Sequence, residues 1–264
     1  RAQDARLGGL PMKPFVQVSA FGRYGKSPGD MIMDAPFTIL KGDNNDKDWS
    51  PNNSDGKFRG LVSMKKALAN SINTVSARLI DEVGAPAVVE MAKNLGVSSD
   101  IPNRPAIALG AVEITVEEMV AAFSTFANEG VYIKPQLITK IEDKNGVVIY
   151  QGVEESHDVV NKDVAYSIIK LMEGVTESGT GSRLRWAASA PSNFLTGVPY
   201  NIKGPVAGKT GTSQNNSDGW FIGMVPNLAA GVWVGNEDRS AHFESTSMGQ
   251  GATTALPIYG IFMR

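Results

Sequence analysis

The order in which hydrophobic periodicity changes along the chain limits the fold more than any other feature. From Ser63 to Phe126 apolar residues recur at helical spacing; from Val206 to Gly235 three runs read as strands joined by short turns. Ser63 to Asn70 is a helix opened by a Ser cap. After an interruption at Ser71-Ile72-Asn73, a second helical pattern runs from Thr74 to about Val83 and ends at Gly84. Pro86 to Leu95 is a short helix stopped by Gly96. Thr115-Val116-Glu117-Glu118 has the spacing of a capping box, followed by Met119, Ala122, Phe123 and Phe126 on one helical face until Gly130. Gln136 to Glu142 and Val147 to Gln151 flank Asp143-Lys144-Asn145-Gly146 as a hairpin, and Asp163 to Gly174 is helical again. The last strands are Val206 to Ser213, Gly219 to Val225 and Leu228 to Gly235. Helices in the middle and antiparallel strands at the end predict an α+β domain, with helices packed on a sheet whose core strands are C-terminal.

Composition narrows the classes of function. The 264 residues, 42% apolar and 20% charged, describe one large domain or at most two small ones, and exclude a collagen, a coiled coil or a disordered tail. Lys plus Arg is 25 and Asp plus Glu is 27, a formal charge of -2, so there is no electrostatic footprint for nucleic acid. With no cysteine, disulfides, thiolate nucleophiles and zinc-thiolate sites are excluded. No apolar run is long enough for a membrane helix, and the chain opens on Arg1 without a targeting pattern, so it reads as an excised domain. Most of the 28 glycines sit at junctions between short segments, which implies many turns. Asp30 to Arg59 is rich in Asp, Asn, Pro and Ser and reads as a long ordered surface loop anchored by Trp49 and Phe58.

Three short motifs carry candidate chemistry. In Val206-Ala207-Gly208-Lys209-Thr210-Gly211-Thr212-Ser213, a cation, two hydroxyls and two glycines on a strand edge can hold a carboxylate while the backbone approaches closely. Ser71-Ile72-Asn73 places a hydroxyl and an amide on one loop, a proton relay and a substrate-binding group; Ser71 as a plain helix cap is the competing reading. Lys13, in Gly8-Gly9-Leu10-Pro11-Met12-Lys13-Pro14-Phe15, is near a helix start and by itself would pass for a surface residue. Together the three match the Ser-x-x-Lys, Ser-x-Asn and Lys-Thr-Gly set of penicillin-recognising serine acyl-enzymes, apart from the first serine.

Longer segments carry a more specific likeness. MDAPFTI, WSPNNSDGKFRG, ALANSINTVSARL, ALGAVEITVEEM, AGKTGTS, DGWFIGMVPN and GVWVGNED resemble the transpeptidase domain of class A, bifunctional penicillin-binding proteins, over nearly the whole chain. The resemblance implies a serine β-lactamase-like fold, an antiparallel sheet flanked by helices with an all-helical subdomain, spanning residues 1–264. N-terminal strands, a glycosyltransferase domain and a membrane anchor are expected upstream. It implies a peptidoglycan D,D-transpeptidase on the extracytoplasmic face of the membrane, with stem peptides and β-lactam antibiotics as partners and no metal or other cofactor. By the same likeness Lys13, Ser71, Asn73 and Lys209 are catalytic, and Thr210, Gly211, Thr212 and Trp220 bind substrate. A D,D-carboxypeptidase and a β-lactamase share this chemistry, but no glutamate is marked by its context as the base for a deacylating water.

One position departs from the family pattern. The nucleophilic serine belongs three residues before Lys13, where the chain has Leu10. The literal Ser63-Met64-Lys65-Lys66 is not its replacement: it lies eight residues before Ser71, about 12 Å away along a helix rising 1.5 Å per residue. The family segment is one residue longer than this one, and a serine between Leu10 and Pro11 restores both length and spacing. A modified serine, most simply one acylated by an antibiotic, accounts for the omission; deletion, replacement and a natural pseudoenzyme that only binds stem peptides or a partner are the alternatives. His157 and His242 are expected in satisfied or solvated loop positions, Trp220 and Trp233 most simply in the core, with Trp220 lining the cleft as its other reading, and the acidic stretch Asp43 to Asp48 on the surface without EF-hand spacing.

Overall fold

The computed structural model describes residues 3–7, 9–40, 48–186 and 200–264. Strand β1 (Arg6–Leu7) and a 3-10 turn (Leu10–Met12) lead into helix α1 (Lys13–Tyr24). Next come β2 (Met31–Asp34), β3 (Gly60–Ser63), α2 (Met64–Ala69), α3 (Asn73–Val83) and α4 (Ala85–Asn94). A 3-10 turn (Pro105–Leu109) precedes β4 (Glu113–Ile114) and α5 (Val116–Ala127). Short strands β5 (Val131–Ile133), β6 (Lys140–Glu142), β7 (Val148–Gln151) and β8 (Ser156–Asp158) follow, then α6 (Lys162–Glu177). The chain ends with β9 (Ala207–Thr212), β10 (Asp218–Val225), β11 (Leu228–Gly235), α7 (Thr246–Gly249) and α8 (Ala255–Phe262).

The architecture is α+β, and its central sheet is antiparallel in the order β11-β10-β9. β10 lies between its two neighbours and is buried on both faces, so its residues alternate between two cores. Trp220, Ile222 and Met224 join the large core built by α1 to α6, whereas Phe221 joins Leu184, Val206, Leu256 and Tyr259 under α8. The Phe221 and Tyr259 rings meet edge to face with centroids 4.7 Å apart. On the other side α1 is sheathed by α3, α4, α5 and α6, and its Phe15 packs on Phe123 of α5 with ring centroids 6.4 Å apart. Phe15, Val16, Val18, Ala20 and Phe21 fill that enclosure, and the buried Ser19 hydroxyl donates back to the Phe15 carbonyl at 2.8 Å.

Local signals decided several boundaries. The Ser63 hydroxyl accepts the Lys66 N–H at 3.2 Å, so this Ser-x-x-Lys is an ordinary helix start. The Thr115 capping box is complete, and Met119, Ala122, Phe123 and Phe126 are all buried. The 136–151 hairpin forms over β6 and β7 only, its first residues remaining outside the ladder. Three expectations are corrected. The segment from Asp30 does not start as a loop: β2 pairs antiparallel with β3, from Met31 opposite Ser63 to Asp34 opposite Gly60. Nor does Phe58 anchor it, being 41% exposed; buried Asp34 and Asn53 do. His157 is on strand β8, opposite Tyr132, and not in a loop. Of the acidic stretch, residues 43–47 lie outside the described residues.

Candidate active site

Lys13 is the first residue of α1, with Pro14 in the first turn, where a missing N–H leaves no helical bond unmade. Its side chain points into the protein and is 1% exposed. The ammonium nitrogen donates to the Ser71 carbonyl at 2.6 Å and to Asn73 Oδ1 at 2.7 Å. Burial, reinforced by the charge of nearby Lys209, drives its proton affinity well below that of an ordinary lysine. That shift moves Lys13 toward the neutral amine, the form that accepts a proton.

Ser71 sits between α2 and α3 in the left-handed region, with φ of 53°. A non-glycine residue held there costs on the order of 1 kcal/mol and persists only where its surroundings impose it. Here the Ser71 N–H donates to the Leu68 carbonyl at 3.0 Å, while its own carbonyl serves Lys13. Its hydroxyl accepts from Lys209 Nζ at 2.9 Å and therefore does not cap α3. Ser71 thus joins the two lysines, one through its main chain and one through its side chain.

Lys209 is wholly buried on β9, and burial lowers its proton affinity to about 7. It also donates to the Thr210 carbonyl at 2.8 Å. That bond fixes which way the strand faces. Antiparallel residues alternate the direction of their peptide groups, and the Ser213 N–H turns toward β10, onto Asp218, at 3.0 Å. Thr210 and Thr212 therefore turn their peptide groups to the free edge of β9. Beside this edge lies the Leu10–Met12 turn. A Cβ on Gly9 would come 3.6 Å from the Thr212 peptide, and one on Gly211 would overlap the Pro11 ring, with Cγ 2.7 Å away. Only glycine at 211 lets the turn and the strand approach so closely.

These groups border a cleft of about 500 Å³. Its walls are the 52–55 loop, Ser71 and Asn73, Thr180, the Thr210 and Thr212 edge of β9, and Thr246 with Gln250. Lys13 and Lys209 lie under its floor. Trp220, expected to line the cleft, does not: it is 0% exposed and belongs to the large core, because its position on β10 turns it to the helices. Sequence reasoning missed Thr180, whose hydroxyl bonds that of Thr210 at 2.6 Å, and Asp34 and Asn53, which hold the start of α3. Thr180 lies in a Gly-Thr-Gly stretch where Gly179 packs on the Ala69 carbonyl at the end of α2; the glycines on either side were its only sequence signal. His157 and His242 bond the Asn94 and Phe243 carbonyls, away from the cleft.

Comparison with known proteins agrees with this arrangement. The family model described as the penicillin binding protein transpeptidase domain matches residues 12–255. Penicillin-binding protein 1A of Aquifex aeolicus is 34% identical over 261 residues, which is 98% of this chain and 33% of that protein. The chain thus spans about a third of the length of the curated relatives it matches. Among solved structures, penicillin-binding protein 1A from Haemophilus influenzae superposes with a TM-score of 0.84 at 23% identity, over 98% of this chain and 42% of that one. Penicillin-binding protein A from M. tuberculosis, solved as its imipenem acyl-enzyme complex, gives a TM-score of 0.76 at 21% identity, covering 99% and 60%. The likeness in fold, the match over most of the length and the meeting of three distant motifs in one cleft lead to one conclusion: the chain belongs to the penicillin-binding protein transpeptidase domain family.

Proposed function

We propose that this chain is a D,D-transpeptidase domain that cross-links peptidoglycan stem peptides through a serine acyl-enzyme, and that β-lactams acylate the same serine. One observation carries the reading: Lys13, Ser71, Asn73 and Lys209, from three elements far apart in sequence, form one hydrogen-bonded cluster under the cleft. The nucleophile is assigned to a serine between Leu10 and Pro11, in the turn that packs against Gly211 and leads into Lys13. The domain acts on the extracytoplasmic side, with a glycosyltransferase domain and membrane anchor upstream. No helix among the described residues is long and apolar enough to cross a membrane.

In this reading the serine oxygen attacks the carbonyl of a D-alanyl-D-alanine terminus and its proton passes to neutral Lys13. The negative charge that develops on the carbonyl oxygen meets the N–H of Thr212, which faces the free edge of β9, and that of the serine. As the C–N bond breaks, Ser71 relays to the departing D-alanine amine the proton that Lys13 took from the serine, which leaves Lys13 neutral again. Asn73 holds the substrate amide; Thr210 and Thr212 at the cleft wall hold the terminal carboxylate, Lys209 acts on it from beneath through Ser71 and the Thr210 peptide, and Gly211 admits the turn. An amine from a second stem peptide then attacks the ester carbonyl and gives a proton to Lys13, and as the ester C–O bond breaks that proton passes to the serine oxygen. A β-lactam enters by the same first step but keeps its leaving group tethered. The acyl-enzyme of the M. tuberculosis relative supports this part of the reading.

The test is a fluorescent penicillin followed by denaturing electrophoresis and peptide sequencing across Leu10 and Pro11. A covalent adduct on a serine at that junction is the expected result. A folded protein that takes no label, with Leu10 joined directly to Pro11, leaves a module that binds stem peptides or a partner without reacting.

A further inference from the structure

The first turn of α3 carries Asn73, yet no local side chain caps it: the preceding residue is Ile72, which has no side-chain oxygen. The cap comes from twenty residues upstream. Asn53 Oδ1 accepts the N–H of Asn73 at 2.9 Å and that of Thr74 at 3.3 Å. Its Nδ2 donates to Asp34 Oδ1 at 2.7 Å and to the Lys57 carbonyl at 2.8 Å. Asp34 is 0% exposed, and the same oxygen accepts the Thr74 hydroxyl at 2.6 Å. Its other oxygen accepts the Arg59 N–H at 3.0 Å, with the guanidinium at 3.4 Å. Burial alone would raise the Asp34 proton affinity, but these donors outweigh it and hold the group charged.

The adjoining residue completes the arrangement. The Asn52 carbonyl accepts Asn73 Nδ2 at 2.7 Å. A flipped Asn73 amide would set oxygen against oxygen there, so Oδ1 is obliged to face Lys13 Nζ. A buried carboxylate on β2 and an amide in the following loop thus hold the backbone at the start of α3, and the neighbouring Asn52 carbonyl holds the Asn73 side chain that reaches Lys13. We propose that Asp34 and Asn53 are positioning residues for acylation: they fix the 52–53 loop against the backbone of Asn73, so that the Asn52 carbonyl keeps the Asn73 amide in the one orientation that gives Lys13 its side-chain acceptor. The proposal rests on the transpeptidase reading for its effect on rate, though not for its effect on Lys13.

The consequence for Lys13 has a definite sign. Its two acceptors, the Ser71 carbonyl and Asn73 Oδ1, favour the ammonium over the amine. Loss of one makes Lys13 harder to protonate. Opposing groups come from β9, where Lys209 already disfavours the ammonium; on the loop side the charged groups Asp34, Asp55 and Arg59 are bonded to one another.

The experiment compares the parent with Asn53→Ala and with the milder, isosteric Thr74→Val. It measures the acylation rate constant and binding constant separately, using a fluorescent penicillin, and follows Lys13 by NMR titration of protein carrying ¹³Cε-lysine. Asn53→Ala should lower the rate constant about 10- to 100-fold, the scale expected for small misplacements of catalytic groups. Binding should change much less, and the Lys13 titration should move to lower pH. Thr74→Val should move both readouts in the same direction by a smaller factor, which keeps the proposal testable if Asn53→Ala does not fold. Variants that acylate at the parental rate per folded molecule, with Lys13 titrating as in the parent, would overturn it. If the parent takes no label while Asn53→Ala still shifts Lys13, the transpeptidase reading fails and the positioning of Lys13 stands.

Discussion

At the scale of single residues, the site depends on keeping two lysines dry. Burial leaves Lys209 with a proton affinity near 7 and brings Lys13 far down as well, whereas both would titrate near 10.5 in an unfolded chain. Between those limits the unfolded state binds more protons than the folded one, so stability rises with pH. It falls again as pH drops from about 10.5 toward 7, because proton uptake then favours unfolding. Lys209→Met should flatten that rise, a difference of at most about 1.4 kcal/mol per pH unit per lysine. Urea unfolding of parent and variant at several pH values in this window measures it. Thr180 is a second residue-scale case, since its hydroxyl at 2.6 Å orients that of Thr210 at the cleft wall. Thr180→Val keeps the shape and removes about 1 kcal/mol of hydrogen bonding, so acylation efficiency should fall about 3- to 10-fold. A fall in kcat/KM at a temperature where the variant is fully folded, with a melting temperature lowered by only about 2 to 4 °C, is the expected signature. Neither role of Lys13 nor of Thr180 is visible in isolation, because a lysine and a threonine are ordinary surface residues until the fold buries their ends.

At the scale of elements, helix starts divide into those read locally and those read only in three dimensions. The caps of α2 and α5 involve residues three apart, and Ser63 and Thr115 were legible from spacing alone. The cap of α3 arrives from Asn53, and no local pattern signals it. The pairing of β2 with β3 was hidden for the same reason, its partners lying about thirty residues apart across a polar segment. In α5 the capping residue does more than close its helix. Burial would push the Glu118 carboxyl up, but the N–H groups of Thr115 and Ser99 and the hydroxyls of Ser98 and Ser99 hold it down at about 2. Glu118 therefore contributes stability fully above its unfolded value near 4.5, and that contribution is lost as pH falls toward 2. Glu118→Gln should lower the melting temperature at pH 7 and lessen its fall on acidification, as calorimetry at pH 7, 4 and 3 would record.

At the scale of the whole molecule, β10 connects the site to both cores. One of its faces feeds Trp220, Ile222 and Met224 to the helices, the other gives Phe221 to α8, and its register sets where Lys209 lies along β9. Phe221→Ala should cost about 3 to 5 kcal/mol by leaving a cavity against Tyr259. Penicillin labelling should then fall in step with the folded fraction measured by circular dichroism. Trp220 shows where reasoning along the strand stops. Its nearness to the Lys-Thr-Gly strand pointed to the cleft, but the alternation of β10 turns it to the helices. The amino-acid sequence by itself determined the α+β class, the local helix caps, the three strands and the three motifs, because each rests on contacts between near neighbours or on side-chain period. Only the tertiary structure decided which groups meet under the cleft. Lys13 and Lys209 lie 58 and 138 residues from Ser71 along the chain and each makes a hydrogen bond to it, which is a property of packing.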